Sequence, residues 1–129
     1  MKQEIAHFAL IVRDYDEAID FYINKLNFDL LEDTRLSDIK RWVRVRPPGS
    51  EGCGILLAKA KNEEEQNHIG NQTGGRVFLF LHTDDIERDL ENLNRHHINI
   101  IRPLSKMPYG SVLVFEDLYG NKWDLIQKH

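Results

Sequence analysis

The sequence predicts an α+β fold built from two tandem βαβββ modules, and three observations carry that prediction. One plan is stated twice, about 70 residues apart. An apolar strand closed by acidic residues runs through His7-Phe8-Ala9-Leu10-Ile11-Val12-Arg13-Asp14 and again through Phe78-Leu79-Phe80-Leu81-His82-Thr83-Asp84-Asp85. Each is followed by an amphipathic stretch at helical spacing, then by a short apolar run: Phe28-Asp29-Leu30-Leu31 in the first half, Ile98-Asn99-Ile100-Ile101 in the second. Two further strand signals close each half. We read residues 1–129 as one domain, with module 1 at about 1–60, a linker at about 61–75 and module 2 at about 76–129.

Residues 5–12 are apolar except for His7 and read as a buried strand. Asp14 fits a helix N-cap, with Asp16 and Glu17 in the first turn where the helix dipole favours carboxylates. Ile19, Tyr22, Ile23 and Leu26 form one helical face, and Asn27 ends the helix. A strand over 28–33 leads to a turn at Ser37-Asp38. Arg41 to Arg46 alternates strictly, with Val43 and Val45 on one face and Trp42, Arg44 and Arg46 on the other. Pro47-Pro48-Gly49-Ser50 breaks that strand, and another spans 54–59. The linker holds a short polar helix over 61–67 and a loop over 70–75.

The second half predicts strand 76–82 and helix 85–96 with Ile86, Leu90 and Leu93 inward, then strands 98–101, 111–116 and 122–127. Pro103 and Pro108 bracket an irregular stretch, and Asp117-Leu118-Tyr119-Gly120-Asn121 is turn chemistry feeding the last strand.

Composition bounds the function. With 41% hydrophobic and 29% charged residues, the chain has material for a core. A net charge of -4 without a basic block argues against nucleic acid as a partner. No apolar run is long enough to span a membrane, and Met1-Lys2-Gln3-Glu4 leads into a strand rather than a signal sequence. The one cysteine, Cys53, has no intrachain partner, which suits a cytoplasmic setting. Flanked by glycines, it lacks an activating neighbour in sequence. His96 and His97 suit a helix end, and Glu63-Glu64-Glu65 suits a solvated face.

The repeat, His7 in "IAHFALIVRD", the helix "DYDEAIDFYINKLNF" and the ending "FEDLYGNKWDLIQ" together resemble the vicinal oxygen chelate superfamily. This is the group of glyoxalase I, bleomycin- and fosfomycin-resistance proteins and extradiol dioxygenases, and the resemblance covers essentially the whole chain. It implies a curved mixed sheet around a cleft between modules, with helices on the outer face. It also implies a homodimer and a divalent metal (Zn, Ni, Mn or Fe) that takes ligands from the first and last strand of each module and acts as a Lewis acid.

Against that pattern the ligand set is incomplete. His7 stands at the first ligand position, and Asp124, in "GNKWDL", stands where Glu is usual. Superposing the helix starts, Asp14 on Asp85, sends His7 to Phe78, and a one-residue slip sends it to Val77. Matching Gly120 to Gly52 sends Asp124 to Leu56. A catalytic zinc or iron site normally has at least about three protein ligands. One imidazole and one carboxylate would need Glu116, Gln72 or the substrate to complete the shell.

A metal-independent site has its own candidates. Trp42 and Arg44 offer a flat apolar wall beside a cationic fork. Leu56 and Phe78 make an apolar floor that Phe80 and Phe115 extend, and Tyr109 brings a hydroxyl from its loop. Arg44 and Asp124 could also neutralise each other.

The leading expectation is a cytoplasmic glyoxalase/bleomycin-resistance-like protein holding a small organic molecule, with lyase or isomerase chemistry on a degenerate metal site. His7 would serve as ligand or general base, Asp124 as its carboxylate partner and Arg44 as the anion holder. The alternative is a non-catalytic protein that binds or sequesters a small molecule or antibiotic. A second alternative, a metal-dependent dioxygenase or thiol transferase, is disfavoured by the missing ligands at 56 and 78.

Overall fold

The computed structural model describes residues 1–129 and divides into two compact units, Met1–Ile69 and Gly70–His129. Each unit is a βαβββ module, so the α+β class holds.

The first unit contains β1 (His7–Val12), α1 (Tyr15–Ile19) continued as a π-helical segment (Asp20–Lys25), and β2 (Asp29–Arg35). It is completed by β3 (Arg41–Arg46), β4 (Gly54–Lys59) and the short helix α2 (Glu63–Asn67). Its strand order is β1-β4-β3-β2, with β1 parallel to β4 and the other pairs antiparallel. The second unit repeats the plan with β5 (Val77–His82), α3 (Ile86–Arg95), β6 (Ile100–Met107), β7 (Gly110–Glu116) and β8 (Lys122–Lys128). Its order, β5-β8-β7-β6, is the same topology. No helix is long and apolar enough to cross a membrane.

Both helix starts follow the expected chemistry. The Asp14 carboxylate accepts the Glu17 amide hydrogen at 2.9 Å, and Asp85 accepts that of Arg88 at 3.1 Å. Each cap satisfies an amide that has no partner inside the helix.

The helix interior departs from expectation. Tyr22 is buried as expected, but Ile19, Ile23 and Leu26 are only half-buried, while Tyr15, Ala18 and Phe21 also face inward. Beyond Ile19 the wide π turn contributes: Leu26 donates to the Phe21 carbonyl, five residues back, and the slower rotation keeps Phe21 inside beside Tyr22. Asn27, at φ 63, ends the segment in the left-handed conformation that Asn tolerates.

Strand alternation sets the two faces of each sheet. In the first unit Leu10, Val12, Val43, Val45, Ile55 and Leu57 are buried on the helix-covered face. His7, Trp42, Arg44 and Leu56 therefore share the opposite, open face. In the second unit Leu113, Phe115, Trp123 and Leu125 are buried, and Phe115 stacks on Trp123 with centroids 5.9 Å apart. Phe115 is thus a core residue and not part of a ligand floor, because its register partner is Trp123.

The stretch expected to be irregular around Pro103 is an eight-residue edge strand, β6. Its pairing to β7 slips between Ile100 and Arg102 and again between Arg102 and Ser105. Proline lacks a ladder donor, and an edge strand with bulges is where a sheet accommodates it.

The Asp117–Asn121 turn is a closed hydrogen-bond unit. Asp117 Oδ1 accepts the amides of Tyr119 and Asn121, and Oδ2 accepts the Asn121 side-chain amide at 2.8 Å. Gly120 supplies the positive φ, and Asp117 and Asn121 are the buried polar residues of the chain.

Candidate functional site

On the open face of the first sheet, the rows run across strands. His7 registers with Gly54, and Ala9 with Leu56; Leu56 registers with Arg44, and Arg44 with Glu32. The His7 ring meets the Trp42 indole edge-on, with centroids 5.5 Å apart. A bulge in β2 between Leu30 and Glu32 brings the Glu32 carboxylate to Arg44, Nε to Oε1 at 3.3 Å. Within its own unit Arg44 therefore has a carboxylate partner, Glu32, placed there by a bulge that strict alternation does not reveal.

The second unit holds the corresponding row. Phe80 registers with Asp124, Asp124 with Val114, and Val114 with Arg102. By the repeat, Phe80 answers to Ala9, Asp124 to Leu56 and Val114 to Arg44. Phe80 is exposed, and Phe78 is half-buried where the β5–β8 register slips between Val77 and Leu79. Tyr109 sits at the tip of the β6–β7 hairpin. Gly110 registers with Lys128 and Val114 with Asp124, so that tip is four residues along β8 from the carboxylate.

Burial pushes the Asp124 carboxyl above its ordinary range, while the charge of Arg102 pulls it back. A raised folded pKa means the folded state holds the proton more tightly than the unfolded chain. Ionisation therefore costs stability above the unfolded value, and the cost is absent below it. Asp124→Asn is expected to raise the urea midpoint at pH 7, with the gain shrinking as pH falls to about 4. Equal midpoints for wild type and variant at pH 7 would contradict this account of the carboxylate.

The family resemblance raises a resident divalent metal, and the donors can be tested for it. Such a site needs about three protein ligands. Leu56 and Phe78 occupy two positions where the repeat would place donors. No group of three His, Cys, Asp or Glu side chains has metal-binding geometry. The residues present do not form a shell for such an ion.

What the first unit does form is a groove. The β3–β4 ladder stops at the Val43–Leu57 pair although β4 continues to Lys59, and the strands part beyond it. The opening, about 550 Å³, is lined by Tyr15, Ile39, Trp42, Leu56 and Ala58 together with five charged residues. Its volume falls within the roughly 300–1,000 Å³ of small-molecule sites. The β2–β3 turn closes one side: Ser37 Oγ accepts the amides of Ile39 and Lys40, and Ile39 is held 83% exposed at the turn.

Arg41 fixes the neighbouring wall. Its guanidinium meets Asp16 at 2.8 Å and Asp33 at 2.7 Å, and lies 5.2 Å from the Tyr15 ring centroid. Hydrogen bonding to Arg41 holds the Asp33 carboxyl below its usual range. Of the expected site residues, Trp42 and Leu56 line this groove and His7 touches Trp42. Tyr15, Ile39 and Lys40 were not anticipated. The one available signal was the Ser37-Asp38 turn, separated from Trp42 by three residues.

The comparisons agree with this architecture. Residues 4–125 match the Glyoxalase/Bleomycin resistance protein/Dioxygenase superfamily. An uncharacterized protein of Shewanella frigidimarina (strain NCIMB 400) is 59% identical over 128 residues, 98% of this chain and 95% of that one. The crystal structure of UcmS2 matches at 25% identity with a TM-score of 0.84, covering 98% of both chains. That of TnmS3, an antibiotic-binding protein from Streptomyces sp. CB03234, matches at 26% identity and a TM-score of 0.78, covering 99% of this chain and 98% of that one. On this sequence match, with the repeated βαβββ topology, the chain belongs to the Glyoxalase/Bleomycin resistance protein/Dioxygenase superfamily.

Proposed function

We propose that the protein binds a small aromatic organic molecule, with the groove of the first unit as its seat. The observation that carries this reading is the opening of about 550 Å³ beside Trp42, walled by Leu56, Ala58 and Ile39. A flat indole beside small and branched aliphatic side chains suits a ring system, and such contacts give most of the binding free energy at small-molecule sites. The antibiotic-binding activity described for TnmS3 supports a binding role for this chain.

The test is a screen of aromatic and polycyclic compounds by thermal shift. A ligand present at 100 times its Kd stabilises the fold by about 2.7 kcal/mol, so a binder raises Tm in a concentration-dependent way. Failure of every aromatic class to shift Tm, with non-aromatic compounds succeeding, would contradict the reading.

A second reading, lyase or isomerase chemistry using His7 and Asp124, is favoured by one observation. A carboxyl held above its ordinary range is a feature of groups that move protons. Under this reading His7→Ala and Asp124→Asn abolish turnover but spare affinity; under pure binding there is no turnover to lose.

A further inference from the structure

The groove's charges are unequally satisfied, and the imbalance says something about its ligand. Four cations and one carboxylate stand among the lining residues: Lys40, Arg41, Lys59 and Lys61 against Glu65. Arg41 is occupied by Asp16 and Asp33, and Lys61 lies 3.8 Å from Glu65. Lys40 and Lys59 have no ion-pair partner.

Tyr15, only 7% exposed, lines the same groove. Its hydroxyl accepts the Arg41 amide hydrogen at 3.3 Å, while no group of the protein accepts its own proton. A buried hydroxyl with an unspent donor is a place for an acceptor oxygen to bind.

Resting on the binding function proposed above, we propose that the groove selects an anionic aromatic ligand, one whose ring lies against Trp42 and whose carboxylate, sulfonate or phosphate is taken by Lys40, Lys59 and the Tyr15 hydroxyl. The apolar wall alone would accept a neutral ring equally well. The uncompensated cations and the free donor discriminate against it, because only an anion gains from both.

The probe pair is 2-naphthoate and its neutral isostere 2-naphthamide, titrated into the full chain by calorimetry and by the NMR shift of the Trp42 indole. Naphthoate is expected to bind about three- to tenfold tighter than naphthamide, the scale of one or two exposed charge pairs. The advantage should disappear in Lys40→Gln/Lys59→Gln and shrink at high salt. Tyr15→Phe, made in the otherwise unaltered chain, should reduce it without unfolding the protein. Lys25→Gln, on the π-helical segment and outside the groove, should leave it intact.

Equal affinities for the two probes would overturn the anionic preference while leaving the aromatic seat standing. An advantage that survives Lys40→Gln/Lys59→Gln would also overturn it. No response of Trp42 to either probe would count against the proposed function itself.

Discussion

Replacing Trp42 with alanine should weaken an aromatic ligand by about ten- to a hundredfold, the loss expected when a central aromatic anchor is truncated. The indole is half-buried on the open face of its sheet, braced by the His7 ring and next to Val43, which is fully buried on the other face. The strand therefore holds the indole in place independently of any ligand. Stability should fall by only about 1–2 kcal/mol, because the indole is partly exposed before truncation. Calorimetry with a ligand from the thermal-shift screen, alongside urea denaturation of both proteins, separates the two quantities. Unchanged affinity in Trp42→Ala would remove the groove from the binding account. Trp42→Phe, which keeps a ring, should recover most of the affinity.

The largest effect on stability should come from Asp117→Ala. That carboxylate accepts three hydrogen bonds in a turn where both Asp117 and Asn121 are buried. Removing it leaves two backbone amides and a side-chain amide without this acceptor, both Asn121 donors buried and the Tyr119 amide part-buried. Unsatisfied buried donors cost about 1–3 kcal/mol apiece, partly relieved by relaxation and water, so a total of about 2–4 kcal/mol is expected. The packing of the preceding loop raises the stakes. A Cβ at Gly70, where φ is +75, would lie 1.9 Å from the Tyr119 carbonyl oxygen, so the loop is seated directly against this turn. Urea unfolding measures the loss, and a change below about 1 kcal/mol would show that the turn is held by other contacts.

Much of the fold was legible because local rules and the repeat agreed. The alternation of Arg41–Arg46 gave β3 with its faces correctly assigned, and the acidic residues after each first strand gave both N-caps. The departures share one cause: each involves an extra residue accommodated inside a regular element. The π turn after Ile19 brought Phe21 into the core beside the expected Tyr22. The β2 bulge carried Glu32 to Arg44, and the slips in β6 absorbed Pro103. A periodicity count assumes a constant advance per residue, so it fails wherever an element gains one.

The site was legible in part for the same reason. Trp42 and Leu56 follow from alternation and from the repeat. The groove follows from β3 parting from β4 beyond Val43, a tertiary event that brings Tyr15 from the helix and Ile39 from a turn. The sequence placed Leu56 and Phe78 where the repeat would put metal donors, and in the structure Leu56 lines the groove.

The most direct test of the central claim is the ¹H–¹⁵N NMR spectrum of the assigned chain during titration with a screened aromatic ligand. Binding in the groove predicts saturable shifts at the Trp42 indole and at the amides of Ile39, Ala58 and Ala60, with the three amide shifts requiring about ten- to a hundredfold more ligand in Trp42→Ala. Saturable shifts that leave all four signals unmoved and map to other residues would contradict it.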